Sequence, residues 1–308
     1  MRRITIKGSE SGTRSESDLL SALVDRPQDE KTGANATLGF TFQHWWAVLK
    51  ATELYADGTD FAIGVEVKED VVVLDPTAAP STVWFYQVKK HEQSGVWSLS
   101  DLLKQTAKRD GKAPSALAKL YSRRHALPGH ASKLCFVSNV GFKVPLSGSD
   151  ALQFSAKCDL KEFADDHASA LRSKIAKQLE LTQEEVDLSH FALERTYLPI
   201  GEQEAFVTGK IVILSDSGRV HFRITRASVA AQMLASEIRQ RAGNTDFANT
   251  VPKLLKRCVT RAQITDVFIN AEGVGPSAQV LLEAGIRTLE QEGFPWAARE
   301  KLDREKVR

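Results

Sequence analysis

Two runs of β-branched and aromatic residues stand almost back to back, "FAIGVEVKEDVVVLD" from Phe61 and "VWFYQVKK" from Val83. Each reads as a strand, and only a short breaker containing "AAPST" lies between them. Strands this close pair as an antiparallel hairpin, so the chain has to build a sheet around them. The second run then departs from what a buried strand wants, because it ends in Gln87, Lys89 and Lys90. Alternate residues of a strand share a face, so Phe85, Gln87 and Lys89 point one way and Trp84, Tyr86, Val88 and Lys90 the other. On the preceding strand the adjacent Glu69 and Asp70 put a carboxylate on each face, so that one of them can face Gln87.

Helical patterns surround this hairpin. Phe42, Trp45, Trp46 and Leu49 repeat at helical spacing in "NATLGFTFQHWWAVLKATELYA". Ser100 to about Leu127 reads as helix in two pieces, broken near Gly111 and Pro114, and "SKLCFVSNV" follows as a strand. "DLKEFADDHASALRSKIAKQLEL" carries Leu160, Phe163, Leu171, Ile175 and Leu179 on one helical face. Thr182 and Glu185 have capping-box spacing and predict a further short helix. "HFALERTYL" and "AFVTGKIVIL" read as strands, and Arg219, His221 and Arg223 in "RVHFRITRAS" as one strand face. "RASVAAQMLASEIRQRAG" and "SAQVLLEAGIRTLEQEG" read as helices ending at glycine. The expected organisation is a mobile N-terminal arm over 1–34 with a short apolar docking piece at Leu19 to Val24, a core over 35–155, and a C-terminal α+β portion over 156–308.

Composition removes several classes of function. A net charge of +2 over 308 residues gives no global signature of a nucleic-acid binder, so such a role has to rest on local clustering. Cys135, Cys158 and Cys258 are too far apart for a zinc C-x-x-C pattern and too few for a disulfide framework, which points to a reducing cytoplasm. The basic N-terminus lacks the apolar run of a secretory signal, and no apolar stretch approaches the ~18 residues of a membrane span.

An acid on one strand beside an amide and a lysine on its neighbour suits metal-dependent hydrolysis. Asp70 and the Gln87 carbonyl oxygen are candidate ligands for a hard divalent ion, Mg²⁺ or alternatively Mn²⁺. Lys89 would position or activate the attacking water, or offset charge on a phosphate. A solvated strand end also carries Lys and Gln, and spacing alone leaves both accounts open. Downstream, Lys104, Lys108, Arg109, Lys112, Lys119, Arg123 and Arg124 meet only Asp101 and Asp110 in opposition. With Lys90, they are candidates for sequence-independent phosphate contacts.

"GFTFQ" opening a helix, then "VEVKEDVVVLD", "FYQVKK" and "FVSNV", resemble in order the double-stranded-DNA endonuclease domain of the PD-(D/E)xK superfamily found in bacterial anti-phage systems. Such domains serve as effectors of cyclic-oligonucleotide (CBASS) systems and as Lamassu-type nuclease subunits. The resemblance covers roughly Gly39 to Val140. It implies an α/β, restriction-endonuclease-like core with a mixed sheet flanked by helices. It puts the acid position on Asp70, the (D/E/Q)-x-K motif on Gln87 and Lys89, and a metal-supporting helix residue on Gln43, all four converging at one edge of the sheet. Gln87 stands where the superfamily usually has an acid, leaving fewer charges for the ion unless Glu69 or Glu66 compensates. The implied activity is metal-dependent hydrolysis of double-stranded DNA with little sequence preference. Control would come from homo-oligomerisation or from a regulatory partner such as an SMC-like ATPase or another defence-system sensor. The weakened ligand set leaves a second reading, a catalytically silent DNA-binding or scaffold subunit that keeps the fold; an enzyme acting on RNA or nucleotides is a third.

Overall fold

The computed structural model describes residues 32–77, 80–91, 95–108, 111–127, 131–147, 152–220, 222–243 and 250–273. The expected N-terminal arm, its docking piece and the helix expected from Ser277 lie outside them. Two units are present, Met1–Gly39 and Phe40–Arg308. Of the first, the described part is the opening of helix α1 (Thr32–Ala56); everything below concerns the second.

The core is a seven-stranded sheet in the order β10-β11-β7-β3-β2-β1-β12. Its strands are β1 (Ala62–Val65), β2 (Val71–Asp75), β3 (Thr82–Lys89), β7 (Ala131–Ser138), β10 (Lys157–Asp159), β11 (Phe191–Arg195) and β12 (Cys258–Thr260). β3, β7 and β11 run parallel, and the remaining pairs are antiparallel, so the sheet is mixed. β2 and β3 form the expected hairpin, with Val71 opposite Tyr86 and Asp75 opposite Thr82. Three strands from beyond residue 155 hydrogen-bond into this same sheet, so the core sheet extends past that position.

Both faces of the sheet are buried, which is why its central strands are apolar almost throughout. One face, bearing Ile63, Val71, Val73, Tyr86, Val88 and Val137, packs on α1, α5 (Gln203–Asp216), α6 (Ala227–Ala242) and α8 (Arg261–Gly273). Phe42, Trp46 and Leu49 are buried at helical spacing on α1, and the Trp46 and Tyr86 rings meet at 5.0 Å between centroids. Burying an aromatic of this size contributes about 1.5–3 kcal/mol, so α1 is fastened to β3 chiefly by these side chains. The other face, bearing Val72, Leu74, Phe85, Leu134 and Phe136, packs on α2 (Leu99–Leu102), α3 (Ala116–His125) and α4 (Asp165–Leu179). All three cysteines are free and buried on these two faces; burial pushes the Cys158 and Cys258 thiols up to about 11.

Several expectations fail for identifiable reasons. The run from Phe61 to Asp75 is two strands, because the chain reverses over Glu66–Asp70 with positive φ at Glu66 (55°) and Lys68 (136°). Alternation cannot foresee a reversal made by residues that rarely adopt that conformation. "AFVTGKIVIL" forms helix α5, since Val207, Ile211 and Leu214 fall on one buried helical face and packing overrides β-propensity. The gap between the helices after Ser100 is filled by a small hairpin, β5 (Thr106–Lys108) with β6 (Gly111–Ala113). At Thr182 the backbone amide donates to Glu185 Oε2 at 2.7 Å, yet only a turn follows. The described residues between Ser217 and Arg226 make no strand, so Arg219 and Arg223 share no strand face.

β12 lies so close to β1 that only glycine fits at position 64. A Cβ there would stand 2.9 Å from Cys258 Sγ, 3.0 Å from Val67 Cγ2 and 3.4 Å from the Arg257 carbonyl oxygen. Gly64→Ala is expected to lower stability by roughly 1–3 kcal/mol, as overpacking does. Gly209→Ala, in α5 with open space around it, should raise stability by about 0.5–1 kcal/mol. Urea denaturation of both variants checks the contrast.

Candidate active site

The candidate site forms where β2 and β3 stop pairing. Their last paired residues at this end are Val71 and Tyr86, so the amide of Val88 has no ladder partner on β2. Asp70 supplies one: its Oδ2 accepts from Val88 N at 2.9 Å, from Gln87 Nε2 in a short contact, and from Lys89 Nζ at 3.5 Å. Asp70 and Gln87 are buried, whereas Lys89 keeps 42% of its side chain exposed. Oδ1 of Asp70 takes no hydrogen bond from the described residues. Asp70, Gln87 and Lys89 thus meet around one carboxylate, at the end of central strands rather than at an edge of the sheet. The edges are β10 and β12, contributed by segments far down the chain.

Gln43 approaches the same strand from α1, on the opposite face. Its Nε2 donates to the Val88 carbonyl oxygen at 3.2 Å, while its Oε1 is buried with no hydrogen-bond partner. A buried acceptor without a donor costs on the order of 1–3 kcal/mol, so this oxygen has a use for a cation or a water.

Glu69 takes a different path from Asp70. Its side chain is fully buried and accepts from Lys119 Nζ at 3.0 Å and Arg123 Nε at 2.9 Å, both on α3. The reversal over Glu66–Asp70 is further held by Glu66 N donating to the Asp70 carbonyl oxygen at 3.0 Å, and by Arg257 Nη2 donating to the Glu66 carbonyl oxygen at 2.8 Å. The Glu66 carboxyl is pushed above its ordinary value, first by the crowding around it and then by the charge of Asp70.

The remaining basic candidates are scattered. Arg123 spends Nε on Glu69, and Arg124 binds the Ser132 carbonyl oxygen at 2.9 Å and Asp187 at 2.7 Å. Lys104 and Lys112 are exposed, the latter on the β5–β6 hairpin with Lys108; Arg109 lies outside the described residues. Lys90 is half-buried and takes part in an interaction of its own. Asn139 is a residue that spacing missed: Oδ1 accepts from His91 N at 2.7 Å and Nδ2 donates to the His91 carbonyl oxygen at 3.0 Å. This pair of bonds fastens the chain just beyond Lys89 to the end of β7. Its only sequence signal is an asparagine directly after a β-strand pattern.

The donors present suit a hard cation in moderation. Asp70 offers one anionic oxygen and Gln87 an amide whose oxygen and nitrogen ends have the same shape, while the unpartnered amide oxygen of Gln43 lies across the strand from them. Turning the Gln87 amide over would put two oxygens side by side at Asp70, an arrangement that needs a cation between them. Among the described residues no three His, Cys, Asp or Glu side chains group to hold a metal, and no helix is long and apolar enough to cross a membrane.

The family model for the Cap4 dsDNA endonuclease domain matches residues 31–242, more than half of the chain. No curated protein matches it. Among solved structures, the Cap4 SAVED/CARF-domain containing receptor of Acinetobacter baumannii aligns at a TM-score of 0.41 and 8% identity, covering 76% of this chain and 46% of that one. The same receptor with the cyclic trinucleotide 2'3'3'-cAAA aligns at 0.37 and 10% identity, covering 76% and 44%. The Moraxella osloensis Cap4 receptor aligns at 0.41 and 11% identity, covering 76% and 47%. The chain spans less than half the length of these receptors.

The burial of Glu69 orders the cost of breaking its cluster. Glu69→Gln leaves two cations that can turn to water, since 47% and 34% of the Lys119 and Arg123 side chains are exposed. The pair Lys119→Met and Arg123→Met instead strands a buried carboxylate, at about 3–5 kcal/mol. Chemical denaturation should therefore show the double variant less stable than Glu69→Gln.

Proposed function

The chain belongs to the Cap4 dsDNA endonuclease domain family and so carries a DNA endonuclease domain, and we propose that its chemistry takes place at Asp70, Gln87 and Lys89. The observation that supports this most is the meeting of a buried carboxylate, a buried amide and a half-exposed lysine at the end of two central strands. The proposed reaction is hydrolysis of a DNA phosphodiester. A water oxygen bonds to phosphorus, the bond from phosphorus to one ester oxygen breaks, and that oxygen leaves as a protonated alcohol.

Asp70 and Gln87 would hold Mg²⁺, or Mn²⁺ in its place, with Gln43 in support; such an ion supplies charge stabilisation and a more acidic bound water. Lys89 reaches from the rim of the site toward Asp70, so its ammonium can donate to a phosphate oxygen or fix the direction of the attacking water. Val88, held by Asp70 through its amide and by Gln43 through its carbonyl, keeps Gln87 and Lys89 in register. The site groups named among the described residues, a carboxylate, an amide and an ammonium, suit an ion and a phosphate, and the proposed cleavage has little sequence preference. We place the enzyme in bacterial anti-phage defence, acting in the cytoplasm under the control of self-assembly or of a partner such as an SMC-like ATPase or another sensor.

One feature favours a second reading, a DNA-binding scaffold: the Gln87 amide and Lys89 satisfy Asp70 without any ion. Digestion of plasmid and linear duplex with Mg²⁺, Mn²⁺ or EDTA, over a range of protein concentrations, decides between them. The expected result is metal-dependent cleavage that falls by at least ~10²-fold in Lys89→Ala and in Asp70→Asn. Heat of Mg²⁺ binding that disappears in Asp70→Asn supports the ion site independently of turnover. Absence of both cleavage and metal binding would favour the scaffold, and undiminished cleavage by Lys89→Ala would remove that residue from the reaction.

A further inference from the structure

The reversal that carries Asp70 also carries a lysine with no partner. Lys68 is exposed and forms no hydrogen bond or ion pair with the described residues, although Glu66, Glu69 and Asp70 all lie within two positions of it. It holds φ at 136°, a region that side-chain-bearing residues rarely occupy and that costs on the order of 1–3 kcal/mol. The turn is fastened on both sides of this residue, by Arg257 at the Glu66 carbonyl and by Lys119 and Arg123 at Glu69. A strained position held from both flanks fixes the backbone from which the Lys68 side chain extends.

Lys68 and Arg123 both line one cavity of about 570 Å³. Arg123 uses Nε on Glu69, and its two terminal guanidinium nitrogens take no partner among the described residues. The wall beneath is apolar, with Val67, Val72, Leu74 and Phe85. Low-dielectric walls under charges of one sign focus their field outward, toward an anion at the rim.

Resting on the nuclease reading above, we propose that Lys68 and the terminal nitrogens of Arg123 form a clamp for a backbone phosphate of the DNA, next to the one cleaved at Asp70. Glu69 serves both halves of this arrangement. It fixes Arg123 by its Nε edge, turning the other edge outward, and holds the turn on which Lys68 and Asp70 both ride. The clamp contacts backbone and not bases, so it adds affinity and registers the strand without adding sequence preference.

The test is binding of a labelled duplex to the full chain in EDTA, followed by fluorescence anisotropy across a series of potassium chloride concentrations. Loss of one phosphate contact reduces the slope of log affinity against log salt by about 0.9, or roughly five- to tenfold in affinity at moderate salt. Lys68→Gly should show that reduction while its thermal midpoint stays equal or rises, because glycine relieves the positive φ. Lys68→Arg should keep the wild-type slope, and Lys174→Ala, an exposed lysine on α4, should leave it unchanged. An unaltered slope in Lys68→Gly, or an equal loss in Lys174→Ala, would overturn the clamp and leave the nuclease reading standing. Failure of the wild type to bind duplex at any salt would overturn the clamp, whereas the nuclease reading stands or falls on metal-dependent cleavage.

Discussion

Where β2 ends, one backbone amide of β3 would face a carboxylate or nothing. Asp70 Oδ2 takes the Val88 amide, and with that bond it fixes the two residues on either side of Val88. Gln87 and Lys89 then have no choice but to project from the face on which Asp70 lies, because alternation puts both on one side of the strand. Gln43 holds the other backbone polar group of the same residue from the opposite face. The arrangement therefore also satisfies the backbone of one buried residue, and each chemical group in it is a structural one too. Removing the Asp70 carboxylate would free a backbone amide, an amide side chain and an ammonium group together.

The surrounding fold serves to hold this strand end still. β3 lies between β2 and β7, with helices on both faces, and its far side is packed by Trp46 through Tyr86. Beyond Lys89 the chain is caught by Asn139, which bonds both polar groups of His91. The His91 ring meets Trp97 edge-on at 5.5 Å, and Trp97 donates to Ser138 Oγ at 2.9 Å. Polar restraint thus passes from the end of β3 to the end of β7 through side chains at both termini of a parallel pair.

What could be read in advance divides along physical lines. The α1 face, the β2–β3 pairing and the shared strand face of Gln87 and Lys89 follow from period alone, which is a local property. The meeting of Asp70 with Gln87 follows from the hairpin, one step further. The reversal at Glu66–Asp70 does not, because its positive φ values fall on glutamate and lysine rather than glycine. Nor does the use of Glu69: an acid beside an acid looks like a second ligand, and only the placement of α3 reveals two cations waiting for it. The edge strands β10 and β12 are three residues each, too short for any period to show, and without them the site looked as though it lay on an edge. Helix α5 misled in the opposite sense, since Val212 and Ile213 are exposed apolar residues that make a helical stripe resemble a strand.

Three carboxylates within five residues would ordinarily repel the phosphates a nuclease must admit. The fold handles each differently. Glu69 is buried against Lys119 and Arg123, so its charge is cancelled within the turn. The Glu66 carboxyl is pushed above its ordinary value, first by partial burial and then by the charge of Asp70. Asp70 has Lys89 beside it, at 3.5 Å from its Oδ2. Charge at the turn is thus paired within the fold, by Lys119 and Arg123 at Glu69 and by Lys89 at Asp70.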